Sequence, residues 1–121
     1  MKPVEEMAPD EMRSEIAERL GYANVRMAIM PGQVRKRLVG DYSPTVVTAI
    51  PNWPEDKGAA LELCTVLASE RQWALELIIH EDRSVGVSFH ADYHPRARAG
   101  SDGAVALALT RLALVALRQN S

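Results

Sequence analysis

One stretch of alternating residues, Gln72–Tyr93, constrains the fold more than any other part of the sequence. Apolar side chains occupy every second position on both sides of a short polar segment, Glu81–Arg83. They are Trp73, Leu75, Leu77 and Ile79 before it, and Val85, Val87 and Phe89 after it. Period-two alternation of this length predicts two half-buried β-strands, at about 73–80 and 85–90, joined as an antiparallel hairpin.

The same alternation predicts the register of this hairpin. Residues that face each other across an antiparallel pair point to the same side of the sheet. Pairing Ile79 with Val85 sets Leu75 against Phe89 and leaves a three-residue loop, which is a permitted hairpin length. A shift of one residue would set Phe89 against Glu76 and put one of the two on the wrong face, so we expect a single register.

Two histidines lie at opposite ends of the predicted ladder. In this register His80 lies opposite Ser84, and His90 lies opposite Ala74. Six residues along a strand span roughly 20 Å. The backbone spacing therefore predicts that His80 and His90 do not share a metal or a catalytic centre.

Length, charge and cysteine content limit the class of protein. A chain of 121 residues predicts one domain, residues 1–121. The formal net charge of −2 provides no overall positive field for nucleic acid. The single cysteine, Cys64, excludes an internal disulfide and favours a reducing compartment. No apolar run reaches the ~18 residues of a membrane span, and no signal-peptide core is present, so we expect a cytoplasmic protein.

Three helices are predicted from caps and apolar stripes, at about 9–20, 54–69 and 102–119. Residues 1–8 are predicted to form a loose leader. The last helix is rich in leucine and alanine, which predicts that it is mostly buried against the apolar face of the hairpin. Ser101 and Asp102 are candidates for its N-cap.

Further strands are predicted on both sides of the second helix. Alternation over 24–30 predicts one strand, 34–39 is a candidate return strand, and 40–53 is predicted to be a connection with some extended character. Part of 90–99 is a candidate edge strand, because Pro95 fits an edge. The prediction is an α+β fold, with an antiparallel sheet of three to four strands covered by about three helices in an α/β/α arrangement.

The order of these segments resembles a known family, the small uncharacterised phage proteins grouped as the phage alpha-beta-alpha (ABA) sandwich domain. The segments that carry the resemblance are IAERLGY (Ile16–Tyr22), NWPEDKGAALEL (Asn52–Leu63), WALELI (Trp73–Ile78), VGVSF (Val85–Phe89) and DGAVALALTRLALVAL (Asp102–Leu117). The resemblance implies phage or prophage origin, and hence the host cytoplasm. It implies an α/β/α arrangement and assigns no catalytic residues to this chain.

A candidate metal site lies in the sequence His90-x-Asp92-x-His94. Histidine and aspartate are ligands for zinc and other divalent metals, and three such side chains on one side of an extended segment suit a metal centre. Residues two apart on a strand are separated by ~6.6 Å, which requires a bend, and Pro95 is a candidate for it. The alternative is a solvated edge with ordinary polar residues.

A candidate binding site consists of basic residues. Its members are Arg35, Lys36, Arg37, Arg96 and Arg98, with Tyr93 as a stacking partner. Such a patch suits phosphate or nucleic acid. The alternative is a set of charged edge strands that resist aggregation.

The chain lacks a phosphate-binding glycine loop, a serine nucleophile elbow and a Cys-x-x-Cys pair. Cys64 falls on an apolar helix stripe and is interpreted as a core residue. Together with the resemblance, which implies the phage origin, these absences lead us to expect a non-enzymatic phage accessory protein, without cofactor, that binds a protein partner such as a host or defence component. The alternative is a small protein that binds a divalent metal, nucleotide or nucleic acid through the two candidate sites. A homodimer through an edge strand or through the last helix is a third hypothesis.

Overall fold

The computed structural model describes residues 1–43 and 46–119. These residues form three α-helices, six β-strands and one short 3₁₀ helix. The helices are α1 (Pro9–Arg19), α2 (Lys57–Arg71) and α3 (Val105–Arg118). The strands are β1 (Ala23–Ala28), β2 (Arg37–Ser43), β3 (Val46–Ala49), β4 (Ala74–Ile79), β5 (Val85–Ala91) and β6 (His94–Ser101). The predicted α+β class is confirmed.

The predicted hairpin is present as β4 and β5, in the predicted register. Ile79 pairs with Val85 and Leu75 pairs with Phe89. The loop closes through the amide of His80, which donates to the Ser84 carbonyl over 2.9 Å, and Arg83 adopts the left-handed conformation (φ 69°). A three-residue loop that ends in such a residue is a common hairpin connection.

The predicted antiparallel sheet with the central hairpin is present with three strands, and the remaining strands form a second sheet. Sheet A contains β1, β2 and β3 in that order, and sheet B contains β4, β5 and β6. The segment predicted as a connection, 40–53, contains the end of β2 and all of β3. The β-branched residues Val46, Val47 and Thr48 suit a pleated strand, which explains the difference. Pro44 and Thr45 of this segment lie outside the described residues.

Helix α3 covers sheet B, as the sequence predicts. It packs on β5, β6 and α2. Phe89 is fully buried, and its ring centroid lies 5.6 Å from that of Trp73 on the same face of the sheet. Val85 and Val87 complete the buried side of β5. Strand β5, with Trp73 and Leu75, therefore forms the floor of the core under α3. The expected burial does not extend to Leu77 and Ile79, which stay exposed at the far end of β4 because α3 packs on β5 and β6.

Helix boundaries follow local capping chemistry. Helix α1 begins at Pro9 as predicted. Helix α2 begins three residues after the predicted Pro54, because the side chain of Asp56 accepts a hydrogen bond from the Ala59 amide over 3.1 Å and caps it. Helix α3 begins at Val105, and the predicted cap at Ser101 or Asp102 is wrong, since Ala104 occupies that position.

The N-terminal segment is attached to the fold, in place of the loose leader expected for residues 1–8. Residues 4–6 form the 3₁₀ helix, and Val4 is buried in the core. The guanidinium of Arg118 donates to the Lys2 carbonyl over 2.8 Å, and the ammonium of Lys2 lies 3.0 Å from a Glu11 carboxylate oxygen. Burial of one valine and these contacts hold the segment on α1 and α3.

A charged cluster ties α1 to the end of α3. Glu15 accepts hydrogen bonds from Arg118 through both carboxylate oxygens, over 2.7 and 2.8 Å, and from Arg19 over 2.9 Å. The bidentate geometry is the strong form of this interaction. Arg118 holds the pKa of the Glu15 carboxyl below its ordinary value, and Arg19 adds to the effect.

Replacing Glu15 with glutamine is expected to lower the free energy of unfolding at pH 7 by about 1–2 kcal/mol, because a charged hydrogen-bond acceptor is lost. A carboxyl whose pKa is lowered on folding stabilises the fold above its unfolded pKa, near 4.5. That contribution disappears as the pH falls through the lower, folded pKa. Urea denaturation of both proteins from pH 7 to pH 3 should therefore show the difference shrinking below about pH 4.5. A difference independent of pH would contradict the assignment.

Candidate functional site

A hollow of about 400 Å³ lies where sheet A meets α1 and the segment that follows β3. Its lining combines three cations with apolar side chains, among them Arg13, Lys36, Arg37, Met27, Leu38 and Ile50. These residues define what we call the cationic hollow. The cations come from two distant parts of the chain, α1 and the start of β2, and the fold brings them together.

Arg13 is held in place by the backbone of the opposite wall. Its Nε donates to the Pro51 carbonyl over 3.1 Å and its Nη2 donates to the Ile50 carbonyl over 2.6 Å. Its Nη1 lies 3.2 Å from a carboxylate oxygen of Asp10, which is exposed. Arg13 is not among the residues predicted from sequence, because a single arginine on an amphipathic helix carries no signal of a site.

Lys36 and Arg37 extend the positive charge into solvent. Both side chains are exposed, as is that of the neighbouring Arg35. Within residues 1–43 and 46–119, no ion pair or side-chain hydrogen bond neutralises Lys36 or Arg37. Two uncompensated cations beside a positioned arginine make this a local positive surface on a chain whose net charge is −2.

Large apolar side chains are exposed near the cationic hollow, on β1 and in the loop between β1 and β2. They are Met27 on β1, and Ile29 and Val34 in the β1–β2 loop. Single exposed apolar residues are ordinary, but several beside a polar rim are typical of protein interaction sites. The cationic hollow is therefore adjacent to apolar surface.

The structure divides the predicted basic site between the two sheets. Arg96 and Arg98 lie on β6 of sheet B, and Tyr93 lies fully exposed in the turn before it. Arg98 lines a second hollow, which shares no lining residue with the cationic hollow. Of the basic residues predicted as a binding site, Lys36 and Arg37 line the cationic hollow together with Arg13.

The predicted metal ligands lie on two strands and the turn between them. His90 is on β5 and His94 begins β6, while Asp92 and Tyr93 have φ values of 52° and 64°. Positive φ at both central residues forms a tight two-residue turn instead of an extended segment. In the part of the chain that the structure describes, no group of three or more His, Cys, Asp or Glu side chains is placed to hold a metal ion.

The two hairpin histidines approach each other more closely than their backbone positions suggest. The Nε2 of His80 lies 3.5 Å from where a Cβ of Gly86 would be, and the Nε2 of His90 lies 2.7 Å from the Ser88 hydroxyl oxygen. Gly86 and Ser88 are two residues apart, or ~6.6 Å. Both histidines consequently line the second hollow, of about 350 Å³, because the missing side chain at Gly86 leaves room for His80.

Cys64 has the environment of a core residue. It is fully buried, and its thiol donates to the Leu109 carbonyl over 3.1 Å. Burial raises the pKa of the thiol to about 12. The nucleophilic form of cysteine is the thiolate, so Cys64 does not have the properties of a reactive cysteine.

Comparisons of the chain with protein-family models, with curated proteins and with solved structures give no match. None of the helices among the described residues has the length and apolar character needed to cross a membrane.

Proposed function

We propose that the protein acts by non-covalent binding of a protein partner, and that the cationic hollow receives an acidic and apolar segment of that partner. The observation that carries the proposal is the pair of exposed, uncompensated cations, Lys36 and Arg37, beside the positioned Arg13. Carboxylates on a partner would complete hydrogen bonds and charge pairs that the chain itself leaves open.

The lining favours a protein over a nucleic acid. Binding of single-stranded nucleic acid typically combines cations with aromatic side chains on which bases stack. The side chains that line the cationic hollow are aliphatic, amide or cationic, and the neighbouring exposed residues Met27, Ile29 and Val34 are aliphatic. Charge beside aliphatic surface suits a peptide segment that carries Asp or Glu among Leu, Ile or Val.

The resemblance to the phage alpha-beta-alpha sandwich proteins supports a more specific form of this proposal. In that form the chain is a phage or prophage accessory protein that works in the host cytoplasm, and its partner is a host or defence component. The absence of sequence motifs for catalysis agrees with a role in binding.

Charge reversal at the hollow tests the proposal. We expect the 121-residue chain, used as bait in host lysate, to retain a partner that is identified by mass spectrometry. The double variant Lys36→Glu, Arg37→Glu should retain at most about a tenth as much of that partner. The two introduced carboxylates would then repel the acidic segment of the partner. The matched control is Arg96→Glu, Arg98→Glu, which makes the same change of charge on sheet B and should bind as the original protein does.

Further measurements separate this proposal from its alternative. Binding through exposed charges should weaken as salt is raised from 0.15 to 0.5 M, because the Debye length falls below about 8 Å. Equal loss in both double variants would contradict the role of the hollow. A partner released by nuclease would support nucleic-acid binding instead. Stoichiometric metal in the purified protein, lost in the variant His90→Ala, His94→Ala, would support the metal-binding alternative.

A further inference from the structure

The outer edge of sheet B is unpaired along the whole of β4. Among the strands that the structure describes, β5 is the only neighbour of β4, and the six residues of β4 pair with it without a register shift. The edge therefore contains no bulge. An unpaired strand of this kind presents a row of free backbone donors and acceptors to any other strand.

The hydrogen bonds at the hairpin loop show which backbone groups are free. The amide of His80 donates to Ser84 on β5, and its carbonyl accepts from Arg83. Backbone groups alternate in direction along an antiparallel strand, so those of Ile78 and Glu76 also face β5. The amides and carbonyls of Leu75, Leu77 and Ile79 consequently point away from the sheet, toward solvent.

The side chains of β4 are apolar on both faces at this edge. Leu77 is 41% exposed, Ile78 45% and Ile79 62%, and Glu76 is the only charged residue of the strand. Edge strands are commonly protected by charge, proline, bulges or shortness.

The other described edge strands each have such a protective feature. Strand β6 carries Pro95, Arg96 and Arg98, strand β1 carries Arg26 and a register shift, and strand β3 has four residues and a register shift. Strand β4 has none of these features, apart from the charge of Glu76.

We propose that β4 pairs with β4 of a second copy of the chain, antiparallel about a two-fold axis at Ile78. The two copies of sheet B then form one continuous sheet of six strands, three from each copy. This interface lies on the other sheet from the cationic hollow, so it is independent of the proposed function.

The register follows from the directions of the backbone groups and from charge. Only pairings that set Leu75, Leu77 or Ile79 against one another or against their own counterparts join free donors to free acceptors, which places the axis at a residue from Leu75 to Ile79. An axis at Leu75 or Ile79 leaves two of these three residues without a partner on the strand. An axis at Glu76 sets two carboxylates against each other, which is unfavourable. An axis at Leu77 sets Glu76 against an isoleucine.

An axis at Ile78 avoids both of these contacts, and it leaves Leu75 opposite Glu81 in the loop. Leu77 forms hydrogen-bonded pairs with Ile79 of the second copy, and Ile78 meets its own counterpart across the axis. Glu76 lies opposite His80 of the second copy, whose imidazole can donate a hydrogen bond to the carboxylate once the ring turns from its position over Gly86. The contacts away from the axis occur twice because the axis is two-fold, and the contact between the two Ile78 side chains occurs once.

Cysteine cross-linking tests both the dimer and its register. Residues opposite each other in a non-hydrogen-bonded antiparallel pair have Cα atoms about 4.5 Å apart, within the range of a disulfide. Under mild oxidation the full-length variant Ile78→Cys should form a covalent dimer. The control Glu76→Cys places the two thiols about 13 Å apart and should not. Cys64 is buried and does not compete.

Light scattering tests the same interface without a cross-link. We expect the original protein to dimerise in the micromolar range and Ile78→Lys to raise the dissociation constant at least about tenfold, because two ammonium groups meet at the axis. The control Val47→Lys makes the same change at a residue of equal exposure on sheet A, 44% against 45%, and should leave the dimer intact. A charge swap tests the register, since Glu76→Lys should weaken the dimer and addition of His80→Glu should restore it.

Several outcomes would overturn the proposal. They are a monomer up to about 200 µM by light scattering with no Ile78→Cys cross-link, equal effects of the two lysine variants, and a cross-link from Leu77→Cys in preference to Ile78→Cys. Circular dichroism of each variant checks that the fold is retained, and all the substituted side chains are substantially exposed.

Discussion

Replacing Phe89 with alanine is expected to lower the free energy of unfolding by about 3–5 kcal/mol. Phe89 is completely buried on the central strand of sheet B, under α3 and beside the ring of Trp73. Truncation removes the largest of the fully buried side chains and leaves a cavity that the surrounding strand and helix can close only in part. A domain of this size has roughly 5–15 kcal/mol of stability, so the variant should be close to unfolding.

Chemical denaturation followed by circular dichroism measures this effect. Tyr93→Ala is the matched control, because it also removes an aromatic ring but from a fully exposed turn position. It should change the free energy of unfolding by less than about 0.5 kcal/mol. A loss of less than about 1 kcal/mol in Phe89→Ala would show that α3 does not cover this face of the hairpin as described.

Replacing Gly100 with alanine is expected to lower the free energy of unfolding by about 1–3 kcal/mol, the usual cost of forcing an extra methyl group into a packed site. Gly100 lies on β6 and pairs with Gly86 of β5. A Cβ added there would lie 2.9 Å from the Val85 carbonyl oxygen, which belongs to the backbone and cannot rotate away. The Gly100 carbonyl also accepts a hydrogen bond from Arg111 of α3 over 2.8 Å, so a shift of β6 would disturb that contact.

The matched control for this prediction is Gly58→Ala. Gly58 lies in the first turn of α2, and an added Cβ would have an ordinary contact of 3.4 Å with the flexible Asp56 side chain. Alanine favours a helix over glycine by up to about 1 kcal/mol, so this variant should be as stable as the original protein or more stable. Thermal and urea denaturation measure the free energy of unfolding of both variants, which should fall in Gly100→Ala and stay equal or rise in Gly58→Ala. A neutral effect in Gly100→Ala would contradict the close approach of β5 and β6.

The prediction of sheet B from sequence succeeded because its information is local. Alternation around a short polar segment specifies which side chains share a face, and the face specifies the register that pairs Leu75 with Phe89. The predicted cover by α3 followed from a helix that is apolar nearly all round. Each of these features depends on neighbours a few residues away.

Sheet A was only partly predicted. The sequence predicts its first strand and a second strand that overlaps the start of β2. It predicts a connection where the structure has the end of β2 and all of β3. Prolines at 44 and 51 interrupt the pattern there. Short strands with register shifts have weak alternation, so sequence patterns under-predict them.

The amino-acid sequence by itself determined the fold class, the three helices, the central hairpin with its register, and the core position of Cys64. Only the tertiary structure decided that Arg13 joins Lys36 and Arg37, that Arg96 and Arg98 lie elsewhere, that His80 reaches over Gly86, and that the edge of β4 stays open. The physical reason is that hydrophobic periodicity records which face of an element is buried. The direction and neighbours of exposed polar side chains depend instead on how distant elements pack.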